Sequence, residues 1–385
     1  MSPAMDGPAE DRLFEIFFDL VRLCSESGSE GEVCAYIREF CTGLGFAVHE
    51  DAAAAATGSP CGNLVVRVPA GAFSPLPPLI LCAHMDTVKP SVHVIPFDLG
   101  DRFVSMSDTV LGADCKAGIA SILAAVEYLV GVGGTFRALE LLFTVQEEPG
   151  LIGVSNLDIS LLDGKWGVVL DGSGPVGGII NEAPGQEKLK FTVQGRAAHA
   201  GVEPEKGANA IVCAARGIAA VPSGRLDGTT TSNIGLISGG IAVNVVAESA
   251  LVEAEIRSMS EERLEAERRR MIASFERAAE ETGCELSVDV SRSFDHFKLD
   301  AASLPVYFLG RALKECGFEP ALASSGGGSD ANVLNLRGVP MAVMNIGLAD
   351  AHTKEEYMRK DQIEGVARTV TRLAYLSADE GEKKS

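Results

Sequence analysis

Five separated stretches of this chain each set an acid or a histidine where an apolar run ends or a helix begins. They read LILCAHMDTV, LGADCKAGIA, FTVQEEPG, VVLDG and NIGLADAHT, and they carry His84, Asp86, Asp114, Glu147, Glu148, Asp171 and His352. Carboxylates and imidazoles ligate divalent cations, and a carboxylate beside such cations can move a proton. Gathered in one place, these groups would be the equipment for metal-dependent hydrolysis of an amide bond.

Singly, each has an ordinary explanation. His84 and Asp86 stand two apart at a strand end, so period-2 geometry puts them on one face. A metal-bound imidazole usually gives its other N–H to a carboxylate or carbonyl, a part Asp86 could play. One HxD alone, however, reads as a strand-end histidine and a turn aspartate. Asp114 alone reads as the N-cap of the helix that follows. Glu147 and Glu148 read as solvated, although Pro149-Gly150 turns the chain sharply behind them. Asp171 before Gly172 reads as a turn. His352, ahead of Thr353-x-x-Glu356, reads as the residue before a capping box. All of these together, in one alternating pattern, point to a shared site.

The elements that must position them follow from periodicity. Residues 12–24 and 32–40 have helical spacing, and 117–130 forms an amphipathic helix with Ile119, Ile122, Leu123, Val126 and Leu129 on one face. Short apolar runs at 63–68, 79–83, 139–145 and 167–170 fit buried strands, those at 139–145 and 167–170 of the parallel kind. A Pro-rich loop (SPLPPL) precedes the second run. From about Gln186 to Ser293 the order is strand (188–194), helix (208–220), strand (229–237), strand (243–257), helix (261–282), strand (285–291). That β-α-β-β-α-β order is ferredoxin-like and marks an inserted lid. A helix (304–316), a glycine-rich loop, a strand (341–346) and a helix from about Asp361 follow, and the tail GEKKS reads as disordered. The fold class is therefore α/β: a three-layer domain formed by 1–185 and 294–385, interrupted by a lid at 186–293.

At this point HMDTV, GADCKAG, TVQEEPG, GRAAHAG, SGGGSDAN and AHTKEEYM together resemble the peptidase T branch of a large di-zinc metallopeptidase family. That family also holds glutamate carboxypeptidase, aminoacylase and succinyl-diaminopimelate desuccinylase, and the likeness spans nearly the whole chain. The resemblance implies two metals, zinc first and cobalt or manganese as alternatives. His84 and Asp171 would hold one, Glu148 and His352 the other, with Asp114 bridging. Glu147 would be general base toward a metal-bridging water, and Asp86 would orient His84. In the lid, His199 would contact the oxyanion or substrate, reaching over from a neighbouring subunit in dimeric relatives. Asn244 and Arg257, thirteen residues further on, would hold the substrate carbonyl and carboxylate, and Gly326–Gly328, with Gly327 and Gly328 foremost, would line the pocket. One departure stands out: relatives carry Asp or Asn after the bridging Asp, joined by a cis peptide, and this chain has Cys115.

Composition bounds the rest. With 33 basic and 53 acidic residues the net charge is −20, which argues against nucleic acid and anionic membranes as partners. Nine cysteines without a CxxC pair suit reduced thiols in a cytoplasmic protein. No stretch approaches the about 20 uninterrupted apolar residues of a membrane span, and Met1–Asp11 lacks the pattern of a signal peptide. The expected reaction is hydrolysis of short peptides, most simply removal of the N-terminal residue of a tripeptide. An N-acyl amino acid deacylase or a small carboxypeptidase would use the same groups. A non-catalytic protein on this fold would lack a ligand or the base, and a nucleotide-binding one would carry a phosphate fingerprint at the first strand–helix turn. The expected partners are a short peptide and a second copy of the chain joined through the lid.

Overall fold

The apolar runs become strands buried on both faces: every residue of β3 (Leu79–His84) and of β6 (Leu139–Thr144) is buried. A computed structural model describes residues 7–71 and 76–379. The GEKKS tail, part of the Pro-rich loop and the first six residues lie outside that description.

In chain order the first elements are α1 (Glu10–Arg22), α2 (Gly31–Gly43), β1 (Ala47–Glu50), α3 (Ala53–Thr57), β2 (Leu64–Val68), β3, β4 (Pro96–Asp98) and β5 (Arg102–Ser105). Next come α4 (Ala113–Val132), β6, α5 (Ile152–Ser155), β7 (Trp166–Ser173) and β8 (Gly178–Ala183). The middle holds β9 (Gly185–Gln194), α6 (Ala210–Ala220), β10 (Gly224–Arg225), β11 (Thr230–Gly239), β12 (Ser249–Ser258), α7 (Glu261–Thr282), β13 (Glu285–Phe294) and β14 (Phe297–Lys298). The chain closes with α8 (Leu304–Glu315), β15 (Ala321–Ser324), α9 (Asp330–Leu336), β16 (Met341–Ala349), β17 (Tyr357–Arg359) and α10 (Lys360–Asp379).

By its contacts the chain forms two compact units. One comprises the residues through Asn181, Lys298–Ser324 and everything from Ser329; the other comprises Glu182–Phe297 and Ser325–Gly328. In the first unit the sheet runs β1-β2-β6-β3-β7-β16-β17-β5-β4. It is mixed: β6, β3, β7 and β16 are mutually parallel, whereas β2 and β17 run antiparallel to their neighbours. The parallel core aligns the strand ends that bear His84 and Glu147, and β7 brings Asp171 to the same end. Helix α4, apolar along most of its length, packs against β3, β7 and β16 and between α1 and α10. Its hydropathy and length match those of a membrane span, yet its side chains fill the core.

The second unit is built differently because its sheet has one wet face. Burial alternates strictly along most of β9 and β12, the period-2 signature of a half-buried antiparallel strand. The sheet order β10-β11-β12-β9-β13 and the sequence β9-α6-β11-β12-α7-β13 make it ferredoxin-like. Its core centres on Phe191 and Phe275, whose rings stack 3.9 Å apart. The long strand expected at 243–257 is shorter, because 243–248 is a loop that leaves β12 to begin at Ser249.

Candidate metal centre

His84 ends β3 and is 2% exposed. Its Nε2 faces Asp114 Oδ1 at 3.1 Å and Asp171 Oδ1 at 3.5 Å. Its Nδ1 lies 2.9 Å from the main-chain carbonyl of Asp86 and 3.5 Å from that residue's Oδ1. The main chain of Asp86 thus orients the ring more closely than its carboxylate does. The carboxylate is engaged elsewhere: it accepts from the N–H of Glu147 (2.9 Å), the N–H of Glu148 (3.2 Å) and the hydroxyl of Ser27 (2.6 Å). Asp86 therefore fixes the turn on which Glu147 and Glu148 stand.

Asp114 is not a simple N-cap. It and Cys115 have non-helical dihedrals inside the first turn of α4, and the peptide between them is cis. Asp114 Oδ2 stands 3.3 Å from His352 Nε2, which in turn stands 3.1 Å from Glu148 Oε1. Cys115 points its thiol at the Leu170 carbonyl, 2.6 Å away, next to Asp171. Two further positions hold the loops in shape. Gln146 (φ 47°) and His352 (φ 65°) occupy the left-handed region, which costs a non-glycine residue about 1–2 kcal/mol and here sets the direction of the site's side chains.

The capping-box reading of Thr353-x-x-Glu356 fails. Residues 357–359 are a strand, and the buried Glu356 turns inward. It accepts from the N–H of Gly112 (2.7 Å) and of Asp114 (3.1 Å), gripping the loop that carries the shared carboxylate. Glu30 does the same for Gln146 and Gly28, with one oxygen accepting from both N–H groups. Sequence reasoning missed Ser27, Glu30 and Glu356. The only hint was their place in short polar stretches (SGSEG, AHTKEE) flanking apolar runs.

The electrostatics ask for positive charge. Burial pushes Asp171 up to about 7, with Asp114 adding to the shift. Glu147 stands well above the carboxylate range, chiefly through burial, with Asp171, Asp330 and Glu148 reinforcing it against His84. Burial would raise Asp114 too, but hydrogen bonds from His352 and His84 take it well below its usual value. Those bonds, with Glu148, lift His352 to about 10. Protons on the imidazoles thus stand where cations would be favoured.

Donor atoms of His84, Asp114, Cys115 and Asp171 lie within 4.8 Å of one another, as do those of Asp114, Glu148 and His352. Glu148 Oε1 is buried and, among the described residues, makes no hydrogen bond despite its nearness to His352. Nitrogen and oxygen donors that converge without satisfying each other fit a pair of divalent cations sharing Asp114.

Within the second unit, His199 and Asn244 lie on adjacent segments, Asn244 in a turn. Ala200 N–H donates to the Asn244 carbonyl at 3.0 Å, and His199 pairs with Val245. Arg257 is elsewhere. It forms a two-pronged pair with Glu255 (3.0 and 3.2 Å) and reaches the Gly326 carbonyl at 3.3 Å. Gly328 lies hard against the Phe294 ring, where a Cβ would come within 2.4 Å. The loop that bears Asn244 joins β12 at Ser249, and the strand runs on the order of 25 Å from there to Arg257, at about 3.3 Å per residue.

An α/β sheet that delivers imidazoles and carboxylates in two groups sharing one aspartate defines a metal-dependent hydrolase. Residues 181–283 match the family model of the peptidase dimerisation domain. The chain is 36% identical to the Bacillus subtilis protein YqjE, over 94% of this chain and 98% of that one. The crystal structure of aminopeptidase PepT from Bacillus cereus superposes with a TM-score of 0.87 at 37% identity, covering 96% of this chain and 99% of that one. A tripeptidase from Staphylococcus aureus gives 0.92 at 33% identity, covering 97% and 100%. The chain belongs to the M20 family of metallopeptidases, in its peptidase T branch.

Replacing Glu356 with Ala should strip acceptors from two main-chain donors beside Asp114. A loss of about 1–3 kcal/mol for each orphaned donor is expected in denaturant unfolding, with metal affinity falling about 10–100-fold. Unchanged metal titration would show that Glu356 does not hold Asp114 in place.

Proposed function

We propose that this enzyme removes the N-terminal residue from tripeptides, using two divalent cations held by His84 and Asp171, by Glu148 and His352, and by Asp114 between them. The observation that carries the reading is the sharing of Asp114 by two donor groups. The names of its relatives from Bacillus cereus and Staphylococcus aureus support the substrate. Zinc suits the mixed nitrogen and oxygen donors, and cobalt or manganese would satisfy them too. When bound, such a pair lowers the pKa of water toward neutrality and polarises a carbonyl.

The protein's own groups do the rest. Glu147, buried beside the donors, takes the proton of the attacking water and returns it to the departing amine. Asp86 keeps Glu147 and Glu148 in register through their N–H groups. In the lid, Arg257, already braced by Glu255, takes the substrate's carboxylate. The backbone of Gly327 and Gly328 lines the same subsite. His199 and Asn244 serve the carbonyl of a substrate bound by the other copy in a homodimer. Their distance from Arg257 along β12 supports that crossed arrangement, and Leu236, Ile237, Ile241 and Val243 expose apolar surface on the same unit. All nine cysteines are free, which fits a reducing compartment such as the cytoplasm.

An unblocked tripeptide and its N-acetylated form separate the substrate readings. Cleavage of the free peptide alone, abolished by chelation and restored by zinc, is expected. Preference for the blocked form would replace the reading with a deacylase or small carboxypeptidase. Glu147→Gln should reduce turnover about 10²–10⁴-fold with both metals still present by elemental analysis. Near-normal turnover with metals bound would remove Glu147 from its role. Mixing inactive His199→Ala with inactive Glu147→Gln should restore activity through hybrid dimers. No recovery would place His199 within its own subunit's site.

A further inference from the structure

Asp330 is a buried acid that the proposed reaction does not use. It opens α9 and is 1% exposed. Its Oδ2 accepts from the Thr144 hydroxyl at 2.5 Å and from the Cys82 thiol at 3.5 Å. Its Oδ1 is buried and, among the described residues, has no hydrogen-bond partner, and no lysine or arginine pairs with it. Both partners belong to the strands that deliver the site. Cys82 lies two residues before His84 in β3, and Thr144, the last residue of β6, stands opposite His84 in the ladder.

A buried carboxylate with a free oxygen and no lysine or arginine beside it works against folding. Burial raises Asp330 to about 6, while Thr144 and His84 favour its ionised form. Its charge is felt by Glu147 and Asp171, both of which it makes harder to ionise. Within the protein alone, then, Asp330 adds negative charge to a place already crowded with it. The arrangement becomes favourable only when positive charge arrives from outside the chain.

We propose that Asp330 is a positioning residue for the metal pair: it coordinates neither cation, but its carboxylate, pinned by Thr144 behind the strand end that carries His84, tightens metal binding at the expense of the metal-free fold. The inference rests on the two-metal reading above. Asp330 acts through charge and through the placement of β3 against β6, with no contact to substrate.

The test is Asp330→Asn, read by titrating zinc and manganese against a chromogenic chelator and by thermal unfolding with and without metal. Metal dissociation constants should rise about 10–100-fold, the range usual for groups that support ligands without binding metal. The metal-free variant should melt at the wild-type temperature or above it, because a buried charge has been removed. A carboxylate that merely held the fold together would do the opposite, lowering the metal-free melting temperature and leaving the dissociation constants alone. Either of those results overturns the proposal. Thr144→Val, which removes the pin and keeps the charge, should weaken metal binding less than Asp330→Asn. An equal or larger effect would mean that alignment, not charge, is at work, and the proposal would fall. Should Asp330→Asn not fold, Thr144→Val decides alone: a rise in the dissociation constants of a few-fold supports the role, and no change removes it. If wild-type protein binds neither metal, the functional reading itself fails, which is a separate result.

Discussion

Crowding of buried acids is the constraint on which the first unit is built. Asp86, Asp114, Glu147, Glu148, Asp171, Asp330, Glu30 and Glu356 are drawn into one region, most of them shielded from water. Desolvation and mutual repulsion both oppose this. The fold answers with main-chain donors. Asp86 is fed by the N–H groups of Glu147 and Glu148, Glu356 by those of Gly112 and Asp114, and Glu30 by those of Gly28 and Gln146. In each case one acid grips the peptide groups of the loop that presents another. The carboxylates that touch no metal in the proposed site are therefore the scaffold of those that do.

The parallel core gives these loops a common origin. β3, β6 and β7 end at the same edge, so side chains from positions 84 to 171 meet without long excursions. The lid obeys another rule. Its antiparallel strands are long and half-wet, and they spread their polar groups along the sheet rather than gathering them. Arg257 with Glu255 and Gly326 marks one end of β12, and Asn244 with His199 the other.

Much of this was legible in the sequence, for definite reasons. Buried strands and long amphipathic helices carry strong periodic signals, and acids at strand ends stand out against apolar runs. The seven candidate residues of the first unit converge as their placement suggested. The misses have a common cause: a buried acid accepting from main-chain N–H groups is written in the same letters as a cap or a turn. Glu356 looked like the closing residue of a capping box, and Glu30 falls between two stretches of helical spacing. Asp330 is also an ordinary first-turn acid, after a Ser329–Asn332 capping box. Short strands such as β4, β5 and β17 carry too few residues to show a period. The loop at 243–248 continues the apolar pattern of β12, so only the sheet's own geometry ends the strand.

Helix α4 carries a consequence for biogenesis. Of the elements that cover its apolar surface, α1 and β3 precede it in the chain, whereas β7, β16 and α10 follow it. During synthesis, a 20-residue segment as greasy as a membrane anchor must leave the ribosome with less than half of its shelter made. Until the last helix docks, that surface is open to chaperones, to lipid and to other unfinished copies. Completion of the first unit thus waits on α10, an element that lends no group to the metal centre.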